Sequence, residues 1–149
     1  MKKIMFLVVL LVSAICLNAQ SFTKLSIKLD MEIFDKEGHV QINLPKTLPA
    51  TIEYFIDVYP DKTVEVGALG APTVSYTKTF HSSIDTYPKG YIEITINNFV
   101  VADYNTAGQI HWNGPDYYDY DWYFNNSYHE PGSVCYIYRN STLEMRLRR

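Results

Sequence analysis

The stretch Lys24-Leu25-Ser26-Ile27-Lys28-Leu29-Asp30-Met31-Glu32-Ile33-Phe34-Asp35 decides the fold class. In it Leu25, Ile27, Leu29, Met31 and Ile33 alternate with Lys24, Ser26, Lys28, Asp30 and Glu32. Side chains recur on one face every second residue in a strand and every third or fourth in a helix, so the pattern predicts a strand with one buried face. Lys36-Glu37-Gly38 reads as a turn, and Val40, Ile42 and Leu44 alternate again beyond it. The two stretches are therefore expected to form a hairpin.

The same period continues outward from this stretch. Pro45 and Pro49 bracket a loop, because proline has no N–H to give a ladder. Ile52, Tyr54, Ile56 and Val58 then alternate with Glu53 and Asp57, and Pro60-Asp61-Lys62 turns the chain. A short strand is expected over residues 63–66 and a loop at Gly67, Gly70 and Pro72. Residues 74–80, with Thr77, Lys78 and Thr79, read as a partly solvated or edge strand. Tyr87-Pro88-Lys89-Gly90 is a turn before Ile92, Ile94 and Ile96, and Asn97-Asn98 is expected to interrupt that strand. Further short strands are expected near 99–104, 109–112 and 134–139, with a last one carrying Leu143, Met145 and Leu147. No amphipathic pattern sustains three helical turns. The expected fold is all-β: a single antiparallel β-sandwich of about eight or more strands over residues 20–149. Its core is expected to hold Leu25, Ile27, Leu29, Val40, Ile42, Ile52, Ile56, Ile92, Ile94 and Ile96.

Residues 1–19 read as a signal peptide that is removed. Lys2 and Lys3 supply the basic start, residues 4–17 an apolar run short for a membrane span, and Asn18-Ala19-Gln20 a small-residue exit. The mature chain is then secreted, to the periplasm or cell surface if the source is Gram-negative, with no transmembrane segment. Thirteen basic residues less Lys2 and Lys3, set against 16 acidic ones, leave a net charge of about −5, which disfavours nucleic acid or an anionic membrane as partner. With Cys16 gone, Cys135 stands alone and reads as a buried structural thiol. Nothing in the pattern indicates an oligomeric state.

Chemistry concentrates in residues 111–130. Trp112, Tyr117, Tyr118, Tyr120, Trp122, Tyr123, Phe124 and Tyr128 are interleaved there with Asp116, Asp119 and Asp121. Two readings are open. If residues 117–124 form a strand, Tyr118, Tyr120, Trp122 and Phe124 share one face, which is either core or an exposed platform. An exposed platform makes the protein a non-enzymatic binding module for a neutral glycan or a phosphocholine-type lipid headgroup, held on Trp122, Tyr123, Tyr117, Tyr118, Tyr120, Tyr128 and Trp112. Buried aromatics make it a structural or adhesive surface component. Asp116, Asp119 and Asp121 supply hard oxygen ligands of the kind calcium takes, without an EF-hand's loop glycine or terminal glutamate. No zinc spacing, nucleophile elbow or phosphate loop occurs. A small hydrolase would pair one of Asp116, Asp119 or Asp121 with Glu93 or Glu130 across a cleft. No catalytic residue is assigned.

Three short pieces resemble the actinoporin β-sandwich family of secreted cytolysins. Lys24-Leu25-Ser26-Ile27-Lys28-Leu29-Asp30-Met31-Glu32 is similar to that family's first sandwich strand, and Leu44-Pro45-Lys46-Thr47-Leu48-Pro49 to its Leu-Pro-x-x-Val-Pro loop. Tyr118-Asp119-Tyr120-Asp121-Trp122-Tyr123 is similar to its aromatic loop. The resemblance implies a membrane-binding sandwich that recognises phosphocholine through Trp122 and Tyr123. Asn125 and Asn126 stand where the family has tryptophans, and no amphipathic helix precedes the first strand. An inserting element for a pore is therefore lacking.

Overall fold

The computed structural model describes residues 21–46, 51–70, 73–101, 108–110, 119–130, 132–137 and 139–148. The expected signal peptide lies outside them. In chain order the elements are β1 (Ser21–Asp30), α1 (Glu32–Lys36), β2 (Val40–Lys46), β3 (Ile52–Val58), β4 (Val64–Leu69) and β5 (Tyr76–His81). They continue with β6 (Tyr91–Val101), β7 (Gly108–Ile110), β8 (Tyr120–Phe124), β9 (Ser127–Tyr128), β10 (Cys135–Ile137) and β11 (Ser141–Leu147). The strands form a six-stranded sheet, ordered β5-β6-β1-β11-β8-β9, and a five-stranded sheet, ordered β10-β7-β2-β3-β4. The fold is all-β and broadly sandwich-like.

One shared core packs the two sheets. Leu25, Ile27 and Leu29 of β1 and Ile92, Ile94 and Ile96 of β6 face Val40, Ile42 and Leu44 of β2 and Ile52, Ile56 and Val58 of β3, all buried. Each such side chain taken from water contributes about 1.5–3 kcal/mol, set against the entropy of ordering the chain. Tyr54 ties the layers together: its ring stacks on Phe99 at 4.4 Å, and its hydroxyl accepts a 3.1 Å hydrogen bond from Val100 N. All ten core residues expected from the alternation are buried.

The opening stretch departs from its expected form. β1 stops at Asp30, and residues 32–36 make a short helical turn instead of continuing the strand. Asp30 causes this: its buried carboxylate accepts the Glu32 N–H at 3.0 Å, a local bond that competes with the ladder and starts the turn. Ile33 and Phe34 then drop into the core, and the chain crosses from the six-stranded sheet to the five-stranded one. β1 and β2 are thus not a hairpin. β6 likewise runs through Asn97-Asn98 without a break, its register shift against β1 falling between Thr23 and Leu25.

The sheet arrangement is not wholly antiparallel. β1 pairs with β11 in parallel, from Leu25 opposite Ser141 to Leu29 opposite Met145. Adjacent strands joined by a tight turn must run antiparallel, whereas β1 and β11 are separated by nearly the whole chain and carry no such constraint. Among the described residues no helix is long and apolar enough to cross a membrane.

Candidate functional site: a charged groove on the six-stranded sheet

The outer face of the six-stranded sheet follows from the same period of two. With Leu143 and Met145 of β11 pointing to the core, Glu144 and Arg146 point away from it, and Arg148 follows just past the strand. On β8 the inward file is Tyr120, Trp122 and Phe124, so Asp121 and Tyr123 face outward. Pairing sets Tyr123 opposite Glu144 and Asp121 opposite Arg146. Asn125 and Asn126 join β8 to β9 in a two-residue turn with φ of 48° and 67°, a left-handed geometry that asparagine tolerates better than most residues.

A loop over residues 82–90 lies on this face. It is closed by paired backbone bonds between Ile84 and Tyr87 at 3.0 Å and by Gly90 N on Tyr87 O at 2.9 Å. Gly90 has a φ of +88°, and a Cβ there would stand 2.3 Å from the His81 carbonyl oxygen, so only glycine fits. The loop's anchor is Tyr87, 1% exposed, whose ring lies 4.6 Å from that of Tyr91 on β6. Its hydroxyl reaches over β1 to donate to Glu144 Oε2 at 2.5 Å.

Between the loop and the β8–β11 ladder lies a groove of about 380 Å³, lined by Asp85, Thr86, Asp121, Tyr123, Arg146 and Arg148 among others. Arg146 is its most constrained group. It donates from Nε to Glu144 Oε2 at 3.1 Å, and from Nη2 to Glu144 Oε1 at 2.9 Å and Asn126 Oδ1 at 2.8 Å. Its guanidinium carbon also sits 4.1 Å from the centre of the Tyr123 ring, a cation–π contact. The Tyr87 hydroxyl also lies beside this guanidinium and helps to hold its charge. Arg148 donates from Nε and Nη2 to Asp121 Oδ1 at 3.0 and 2.7 Å.

The ionisation states follow from these contacts. Burial works to raise the Glu144 pKa, but hydrogen bonds from Arg146 and Tyr87 outweigh it and hold the carboxyl below its ordinary value. Burial, and then the bond to Glu144, push the Tyr87 phenol far above the usual tyrosine range. The groove therefore presents an ionised carboxylate beneath a fixed guanidinium, with the phenol beside them protonated.

The expected aromatic platform is not what the structure shows. Trp122 is 2% exposed, Tyr120 3% and Phe124 7%, because the pleat of β8 turns all three into the core. Tyr123 is half-buried beneath Arg146, and Tyr128 is exposed on β9 with its ring edge-on to Tyr123 at 6.1 Å. Trp112, Tyr117, Tyr118 and Asp116 lie outside the described residues. The aromatic and Asp-rich recognition patch, and with it a glycan or phosphocholine site on that stretch, is overturned. Of the acids expected as calcium ligands, Asp119 pairs with Lys36 at 3.4 Å and Asp121 with Arg148 at 2.7 Å. Among the described residues no three His, Cys, Asp or Glu side chains group as metal ligands. Glu93 of β6 bonds His81 of β5, and β1 and β11 lie between β6 and Asp121 on β8, a separation of about 14 Å at ordinary strand spacing.

Glu144, Arg146, Arg148, Tyr87 and Asn126 are not among the site residues expected from the sequence. A signal existed in Glu144-Met145-Arg146-Leu147-Arg148, where the period of two that marks the core also files three charges on the other face. No family model matches the chain, and no curated protein or solved structure matches it either.

Proposed function

We propose that this is an exported, non-catalytic binding domain that takes a ligand by a single carboxylate group seated on Arg146, with Arg148 alongside. The observation that carries the reading is the fixed guanidinium. Glu144, Asn126 and Tyr123 hold Arg146 on one edge and one face, the Tyr87 hydroxyl lies beside it, and the residue lines the groove. A guanidinium held this way loses little conformational entropy on binding, and arginine matches planar anions better than lysine does. Asp85 and Asp121 line the same groove, and with the ionised Glu144 they exceed the two arginines by one charge, so recognition rests on directed guanidinium hydrogen bonds and a polyanion is disfavoured.

Glu144 and Tyr87 support a binding role over acid–base chemistry. The first is held ionised and the second protonated, so neither is poised to exchange a proton near neutral pH. Export rests on Lys2, Lys3 and the apolar run behind them. A carboxylate of this kind comes from a peptide C-terminus or from a uronic acid, and one experiment separates the two. Amide chemical shifts of the labelled protein are followed while an acetylated tripeptide with a free C-terminus is added, and separately methyl glucuronide. Shifts centred on Asp121, Tyr123, Arg146 and Thr86 with either probe identify its source. No saturable shift with either up to millimolar concentration removes the reading.

A further inference from the structure

The two flanks of the sandwich are built differently. Among the described residues, the sheets end on one flank in β9 and β10, of two and three residues, and on the other in β4 and β5, of six residues each. Short edges are a common protection against unwanted strand pairing, and β5 lacks it. Tyr76 Oη, donating to Val64 O at 3.3 Å, holds the two long edges together. Among the described residues β5 pairs only with β6, and Tyr76 to Phe80 are all exposed.

The register shows which backbone groups remain. Ser75 O accepts from Asn97 N at 2.8 Å, and Tyr76 stands opposite Ile96. In an antiparallel ladder, bonded and non-bonded pairs alternate, so Thr77, Thr79 and His81 bond to β6. The N–H and C=O groups of Tyr76, Lys78 and Phe80 point away from the sheet. The side chains of the same three residues lie on the core side, opposite Ile96, Ile94 and Ile92, where they read aromatic, cation, aromatic. Tyr76 is 38% and Phe80 48% exposed. The Lys78 ammonium sits 5.6 Å from the Phe80 ring centre, and among the described residues it makes no ion pair. Asp61 is the nearby carboxylate that feels its charge.

We propose that β5 is a strand-addition edge that accepts an extended segment of a partner protein with apolar, acidic and apolar residues on one face, the acid opposite Lys78. Charge chooses this occupant over a second copy. Antiparallel self-pairing that uses all three outward positions sets Lys78 against Lys78 of the other copy, and like charges directly opposite destabilise a pair. The added strand gains main-chain hydrogen bonds from Tyr76, Lys78 and Phe80, and its apolar residues cover the two rings.

The test uses the full chain and two labelled peptides, acetyl-Thr-Val-Thr-Glu-Thr-Val-Thr-amide and the same peptide with lysine for glutamate, with affinity read by fluorescence anisotropy. The wild type is expected to prefer the glutamate peptide by about tenfold; Lys78→Glu is expected to reverse that preference and Lys78→Gln to level it. Lys78 is solvent-exposed, so both variants keep the fold, which circular dichroism verifies. Equal binding of the two peptides, or no binding of either, overturns the proposal. So does a concentration-dependent dimer in light scattering that Lys78→Glu alters, because the edge would then be occupied by a second copy.

Discussion

Tyr87 Oη donates to Glu144 Oε2 at 2.5 Å, a bond between residues 57 positions apart that fastens the 82–90 loop onto a central strand of the six-stranded sheet. The carboxylate is buried and ionised, so each donor it keeps counts for more than an ordinary surface hydrogen bond. Tyr87→Phe removes this donor while leaving the ring contact with Tyr91. The expected loss in urea unfolding is about 1.5–3 kcal/mol, the usual range for a hydrogen bond to a charged group. A loss below about 0.5 kcal/mol would show that water replaces the hydroxyl without cost.

The same carboxylate sets a pH dependence. Glu144 has a folded pKa held below its ordinary 4.5 by Arg146 and Tyr87, against the opposing pull of burial. A depressed folded pKa contributes stability that is present above the unfolded value and lost as pH falls through the folded one. Stability is thus expected to decline as the pH drops below about 4.5, and Glu144→Gln should flatten that acid limb. Denaturant midpoints at pH 7, 5, 4 and 3 for both proteins measure it. Parallel acid limbs in the two would place the titration elsewhere.

Trp122 lies in the core, so Trp122→Ala is expected to cost about 3–5 kcal/mol through lost burial and the cavity left behind. Tyr128→Ala, on the exposed β9, is expected to stay within about 0.5 kcal/mol of the wild type. Thermal unfolding of the two variants distinguishes a buried β8 file from a surface one. Similar losses in both would contradict the inward pleat of β8.

Cys135 is buried on β10, and burial pushes its thiol up to about 11. At pH 8 the native protein is expected to react with a disulfide reagent at least about a hundredfold more slowly than the protein in guanidinium, because the thiolate is the nucleophile. Equal rates would mean that the thiol is reached without unfolding.

The strand pattern was readable where one side of a strand meets water. Alternation placed all ten expected core residues correctly and marked residues 74–80 as an edge, which β5 is. It failed where a local bond outcompetes the period, as at Asp30, whose side chain turns Met31 to Asp35 out of the strand pattern and breaks the expected hairpin. It also failed at Lys46, which continues the inward file of Val40, Ile42 and Leu44, and whose ammonium burial lowers to about 8. The faces of β8 were correctly separated, but periodicity alone does not say which face meets water. The groove was harder still, since Tyr87, Asp121, Asn126 and Arg146 come from separate elements that only the sheet order brings together.

The seat for a carboxylate on Arg146 is tested most directly by calorimetric titration of the wild type, Arg146→Lys and Arg148→Ala with an acetylated tripeptide carrying either a free C-terminal carboxylate or its amide. Arg146→Lys keeps the charge over Glu144 but loses the planar fork, so the fold should survive while recognition suffers. The expected result is saturable binding of the acid form by the wild type, weakened by about tenfold or more both in the amide and in Arg146→Lys, with a smaller loss in Arg148→Ala. Acid and amide binding alike, or wild type and Arg146→Lys binding alike, would contradict it.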